Sequence, residues 1–196
     1  MRVGVTAVQG DYEKHTEALR DASAGPLDVV EVRTADDLRG VERLIVPGGE
    51  STTVGLLMQR FGLGDALKVA AAEGMPIWGT CMGMIIMAKR INDRPGQFTL
   101  DLLDIDVERN AFGAQVHSFE DAVHIGPLGE NILGVFIRAP IVTRMGPDVQ
   151  PIARYREKVV AVRQGNVVGT SFHPELTGDS RMHRWFLELP SHYRPR

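Results

Sequence analysis

One cysteine, Cys81, stands at the centre of Gly79-Thr80-Cys81-Met82-Gly83. Pro76 to Trp78 has the composition of a short strand, and Met82 to Ala88 that of a helix. A strand that turns sharply into a helix needs small residues on both sides of the corner. The corner residue is then strained and presents its side chain, the geometry of a nucleophile elbow. A sulfur there lies near a helix N-terminus, which favours the thiolate. The competing reading of Cys81 is a small buried hydrophobe.

Far downstream comes Ser171-Phe172-His173-Pro174-Glu175. In extended chain, residues two apart share a side, so His173 and Glu175 face one site together. A thiol with a pKa of about 8.5 needs an imidazole to take its proton. A carboxylate beside that imidazole fixes its tautomer and stabilises its charge. Taken alone, His-Pro-Glu is also compatible with a strand end and a surface carboxylate. The third stretch is Pro47-Gly48-Gly49-Glu50-Ser51-Thr52-Thr53. Its glycine pair lets the backbone approach a ligand, and Ser51 is positioned to cap the helix that follows. Free N–H groups at such a turn suit an anion or oxyanion, although an ordinary strand-to-helix turn has the same composition.

These residues must be carried by a framework. Strands are expected at Arg2 to Val8, Leu27 to Arg33 and Val41 to Pro47, besides the elbow strand. Helices are expected from Asp11 to Ala22, Thr52 to Arg60 and Leu63 to Glu73. The alternation predicts an α/β fold, a three-layer and mostly parallel sheet flanked by helices. Ligands in such sheets sit beyond the C-terminal strand ends, which places the Gly48-Gly49 turn and the elbow on one rim. After Arg90 the pattern changes to strands without long helices between them, an antiparallel portion. It comprises Leu102 to Arg109, Val116 to Ile125, Gly134 to Arg138, Val149 to Tyr155, and a hairpin turning at Gly165-Asn166. A helix over Ser180 to Leu189 ends the pattern, and Pro190 to Arg196 is expected to be loose. His15 reads as a helix-surface residue, since no partner is spaced to make it a ligand.

With 196 residues, 43% hydrophobic, the chain suits one globular domain, 1–196. A net charge of −3 without a basic run gives no reason for a nucleic-acid or anionic-membrane partner. No stretch is long and apolar enough to span a bilayer, and no signal-peptide pattern opens the sequence. A single cysteine forms no internal disulfide and no Cys-based metal cluster. A reducing cytoplasm is the expected location.

The elbow with His-Pro-Glu near the C-terminus resembles the class I, or triad, glutamine amidotransferases. Pro47 to Thr53, Trp78 to Met84, Glu108-Arg-Asn-Ala-Phe-Gly113, Val135-Phe-Ile-Arg-Ala-Pro140 and Ser171 to Thr177 narrow the likeness. Together they resemble the glutaminase subunits of pyridoxal 5′-phosphate synthase, nearly end to end. The resemblance implies a flavodoxin-like fold and hydrolysis of L-glutamine to L-glutamate and ammonia, without metal or cofactor. It implies Cys81 as nucleophile forming a γ-glutamyl thioester, His173 as base and then acid, and Glu175 as its orienter. The N–H groups of Gly49 and Met82 would form the oxyanion hole. Glutamine contacts fall on Gly49, Glu50, Ser51, Arg109, Ile137 and Arg138. An arginine fork suits the substrate's α-carboxylate and Glu50 its ammonium.

The resemblance also implies a barrel-shaped synthase partner that receives the ammonia, and a Gly48–Gly49 peptide that acts as a switch. In the free chain that peptide is expected to point a carbonyl into the oxyanion site. Three positions depart from the family's pattern: Met82 for alanine, Ala114 for arginine, and His117 for an acidic residue. Two rival readings are a glutaminase subunit serving histidine, nucleotide or folate synthesis, and a redox or stress protein built on a similar elbow.

Overall fold

The computed structural model describes residues 1–112 and 118–195. In chain order the strands are β1 (Arg2–Thr6), β2 (Asp28–Val32), β3 (Arg43–Val46), β4 (Ile77–Thr80), β5 (Ala88–Ile91) and β6 (Leu103–Glu108). Then follow β7 (Ser118–Ile125), β8 (Glu130–Ile137), β9 (Ile141–Met145), β10 (Gln150–Tyr155), β11 (Lys158–Gln164) and β12 (Val167–Thr170). The helices are α1 (Tyr12–Ala22), α2 (Ser51–Arg60), α3 (Leu63–Ala72), α4 (Met82–Met87) and α5 (Arg181–Glu188).

A parallel block runs β2-β1-β3-β4-β12. Its strands are short, and β3, β4 and β12 are buried along their whole length because helices cover both faces. Side chains alternate across it. Leu44, Val46 and Ile77 enter one core with α2 and α3, while Ile45, Trp78 and Val168 enter the other with α1 and α5. Beyond β12 the ladder turns antiparallel through β11, β10, β7 and β8. The expected α/β architecture is thus observed, with the Gly165-Asn166 hairpin joining β11 to β12.

Some expectations change. Strands β5 and β9 were not expected; they pair with β6, and β9 also meets β11. The run Met-Ile-Ile-Met-Ala carries no glycine or proline to mark where α4 stops, so the strand after it is hidden. His173 and Glu175 do not lie on a strand. Pro174–Leu176 is a 3₁₀ turn with His173 at its cap. The described part of the tail is not wholly loose, since Tyr193 is buried against the core. The start of the expected Val116 strand, with Ala114 and His117, lies outside the described residues, as does Arg196. Among the described residues, no helix is long and apolar enough to cross a membrane.

Candidate active site

Cys81 has φ 50° and ψ −105°, the strained corner that the pentapeptide predicts. Its N–H bonds the Thr170 carbonyl at 2.7 Å, which pins the corner to the end of β12. The glycines are sterically required. A Cβ on Gly79 would stand 2.5 Å from the Gly83 carbonyl carbon, and one on Gly83 would overlap the Val46 carbonyl. Both obstacles are backbone and cannot swing away. Gly83→Ala is therefore expected to cost about 3 kcal/mol or more, read as a lower urea midpoint at unchanged slope.

His173 reaches the elbow from the far end of the chain. Its N–H bonds the Val135 carbonyl at 2.8 Å, and Pro174 restricts it to an extended backbone (φ −109°, ψ 87°). Its Nδ1 lies 2.7 Å from Glu175 Oε1, an atom pair buried from water. The 3₁₀ turn thus achieves the pairing that a strand was expected to give. Gly48 backs the ring: a Cβ there would stand 2.5 Å from His173 Cε1.

Burial opposes charge on His173, but Cys81 and Glu175 outweigh it and push its pKa up to about 10. Burial likewise opposes charge on Glu175, yet His15 and His173 hold its carboxyl well below the usual range. The thiol has a second partner in the Ile137 carbonyl, 3.7 Å from Sγ. That contact is long even for sulfur. The imidazole is the partner whose chemistry matters, because only it can take the proton.

The other candidate residues meet beside the sulfur. A cleft of about 110 Å³ is lined by Gly49, Glu50, Ser51, Cys81, Met82, Arg109, Ile137 and Arg138, joined by Ile85 and Asn110. Every residue expected to touch substrate or oxyanion is among them. Arg109 is held by Asp93, whose carboxylate accepts from its Nε at 2.9 Å. Arg138 is exposed, with φ 45°. The Met82 side chain is 1% exposed, so its bulk is taken up by the core.

Glu50, not Ser51, caps α2. Its two oxygens accept from the N–H groups of Thr52 (3.0 Å) and Thr53 (2.8 Å). Desolvation opposes its charge, but the bonds from Thr53 and Thr52 together prevail and lower its pKa to about 2. A carboxylate reaches both donors where a serine hydroxyl reaches one, so Ser51 instead accepts from Gln97 at 2.8 Å. Gln9, which sequence reasoning missed, accepts from the Glu50 N–H at 3.1 Å. The Gly48 carbonyl oxygen is turned towards Gly10, where a Cβ would overlap it.

A model of the SNO glutamine amidotransferase family matches residues 5–191. The chain belongs to this family. It is 51% identical over 192 residues to the pyridoxal 5′-phosphate synthase subunit PdxT of Roseiflexus castenholzii, covering 96% of this chain and all of that one. It is also 51% identical to the protein of the same name from Acidothermus cellulolyticus, covering 96% of this chain and 93% of that one. A crystal structure described as a glutamine amidotransferase superposes with a TM-score of 0.90 at 48% identity, covering 95% and 97% of the two chains. The PurLQS structure from Thermotoga maritima, at 21% identity and a TM-score of 0.61, shares the fold alone.

One expectation fails within this amidotransferase site. His15 is not on the surface of α1; it is fully buried, against Thr80, Glu175 and His183. It lies on the buried stripe His15, Leu19, Ala22. That helical spacing puts His15 on the core side of α1.

Proposed function

We propose that this chain is the glutaminase subunit of a pyridoxal 5′-phosphate synthase, acting as a single glutamine amidotransferase domain. Cys81 attacks the side-chain amide carbon of L-glutamine. The tetrahedral oxyanion is held by the N–H groups of Met82 and Gly49, each such donor typically worth about 10²–10³ in rate. His173 takes the thiol proton and passes it to the leaving nitrogen, so ammonia departs and a γ-glutamyl thioester remains. His173 then deprotonates a water that attacks the thioester, releasing glutamate and restoring the thiol. Glu175 holds the imidazole in the tautomer that both steps need. Arg109 and Arg138 bind the α-carboxylate, and Glu50 the ammonium.

One observation carries this reading: an elbow cysteine with a carboxylate-paired imidazole beside it, in a cleft whose rim holds both arginines. The resemblance to synthase subunits extends it to a partner. We infer a barrel-shaped synthase in the cytoplasm that takes the ammonia internally and condenses it with ribose 5-phosphate and glyceraldehyde 3-phosphate. The Gly48–Gly49 peptide is the proposed switch, made competent by the partner. Glutamate release is expected to rise at least about tenfold when the cognate synthase subunit is added. Equal rates with and without that subunit would remove the switch from the proposal.

A further inference from the structure

Behind the Glu175 carboxylate lies a polar cluster that the proposed mechanism does not use. His15 from α1 and His183 from α5 are both fully buried. They meet at 3.0 Å, His15 Nδ1 to His183 Nε2. His15 Nε2 lies 3.0 Å from Thr80 Oγ1 and 3.4 Å from Glu175 Oε1, the same oxygen that His173 holds. Trp78 stacks edge-on against both rings. Four elements therefore converge on one carboxylate: α1, β4, the 3₁₀ turn and α5.

The tautomers follow from counting donors. His183 Nδ1 has no hydrogen-bond partner among the described residues. If His15 donated from Nδ1, His183 would have to carry its proton on that orphaned nitrogen. A buried unpaired N–H is rarer and costlier than an unpaired lone pair. His183 therefore donates from Nε2 to His15 Nδ1, and His15 carries its hydrogen on Nε2, shared between Thr80 and Glu175. At 3.4 Å the second contact is long for a hydrogen bond but close for an electrostatic one. Burial pushes the His183 pKa down to about 3, so that ring stays neutral, although the Glu175 and Asp179 charges face it and oppose the shift.

We propose that His15 is a positioning residue of this site, donating its Nε2 hydrogen to the Glu175 carboxylate so that Glu175 stays ionised and aimed at His173. The inference rests on the glutaminase reading and deepens it. His15 touches no substrate; it acts through Glu175. Without its donor, burial drives Glu175 towards protonation, and a protonated Glu175 neither holds the His173 tautomer nor supports its charge.

The test compares His15→Leu, His15→Gln and His15→Asn in complex with the cognate synthase subunit. A glutamine amide nitrogen reaches the position of Nε2, whereas that of asparagine reaches only Nδ1. His15→Leu is expected to lower glutaminase kcat by about 10–100-fold with KM unchanged. The acidic limb of its pH profile moves up, because Glu175 must lose its proton. His15→Gln recovers most of the rate and His15→Asn does not. Equal rates in Gln and Asn variants, or an acidic limb that stays in place while kcat falls with melting temperature, would overturn the proposal. If His15→Leu fails to fold, the Gln–Asn contrast decides. A second readout needs no partner and no glutamine: the pH profile of Cys81 alkylation by iodoacetamide in the isolated chain. A native complex inert towards glutamine would refute the glutaminase reading, while the alkylation profiles would still report whether His15 governs the Cys81–His173 pair.

Discussion

Cys81→Ala is expected to leave a folded chain whose glutamine hydrolysis falls by about 10⁶-fold, below detection. No second thiol exists to take over, since Cys81 is the sole cysteine. Removing a nucleophile also removes the point of His173, because the imidazole then has no proton to take. What persists, oxyanion donors and a binding cleft, is worth about 10³–10⁴ over water in comparable hydrolases. Stability should change little, because alanine omits one sulfur from a site already 9% exposed and keeps the elbow backbone. Two measurements separate the possibilities: glutamate release in the presence of the synthase subunit, and product formation by the same mixture given an ammonium salt. The first is expected to vanish and the second to survive. Glutamine-dependent turnover by the alanine variant would end the thioester mechanism.

Glu175→Gln is expected to lower kcat by about 10²–10⁴-fold with little change in KM. The amide is nearly isosteric, but its charge is gone and its NH₂ can face His173 Nδ1, selecting the wrong tautomer. The substitution also has a signature in stability. The Glu175 carboxyl is held below its ordinary value of 4.5 in the native fold: burial works against it, but His15 and His173 outweigh burial. The unfolded chain thus binds this proton more readily than the native one as pH falls below about 4.5. The charge stabilises the fold fully above that pH and progressively less below it. The native chain should therefore be more stable than Glu175→Gln at pH 7, and the gap should narrow as pH drops below about 4.5. Urea melts of both proteins at pH 7, 5 and 4 would measure it. A gap that widens with acid would show that Glu175 is protonated in the native state and refute its role as an anionic orienter.

Much of this was legible because the chemistry imposes local sequence rules. The corner at Cys81 demands glycine at 79 for a backbone contact within five residues, and at 83 for one with the distant Val46 carbonyl. The parallel block was legible from short apolar strands alternating with helices. Strands β5 and β9 were not, since each is short and its pairing depends on residues far along the chain. The His173–Glu175 pairing was anticipated for an incorrect reason, because proline at 174 converts a presumed strand into a 3₁₀ turn. Glu50 displaced Ser51 as the helix cap because a carboxylate reaches two N–H groups. His15 reads as a surface residue because no partner is spaced near it in the sequence. Its true partners, Thr80, Glu175 and His183, lie 65 to 168 positions away.

The edge of β11 changes partner partway along. It bonds β12 from Ala161 onwards and β9 at Val159. The chain leaving β12 carries His173, while β9 and its neighbour β6 adjoin the two arginines. The sheet is therefore forked, and the segments that follow β4, β6 and β8 line the cleft. On the proposed reading, His173 hangs from one prong and the arginines that would hold the substrate's carboxylate adjoin the other. The grip on the amino-acid end of the substrate is thus free to be remodelled without rebuilding the machinery that cuts it.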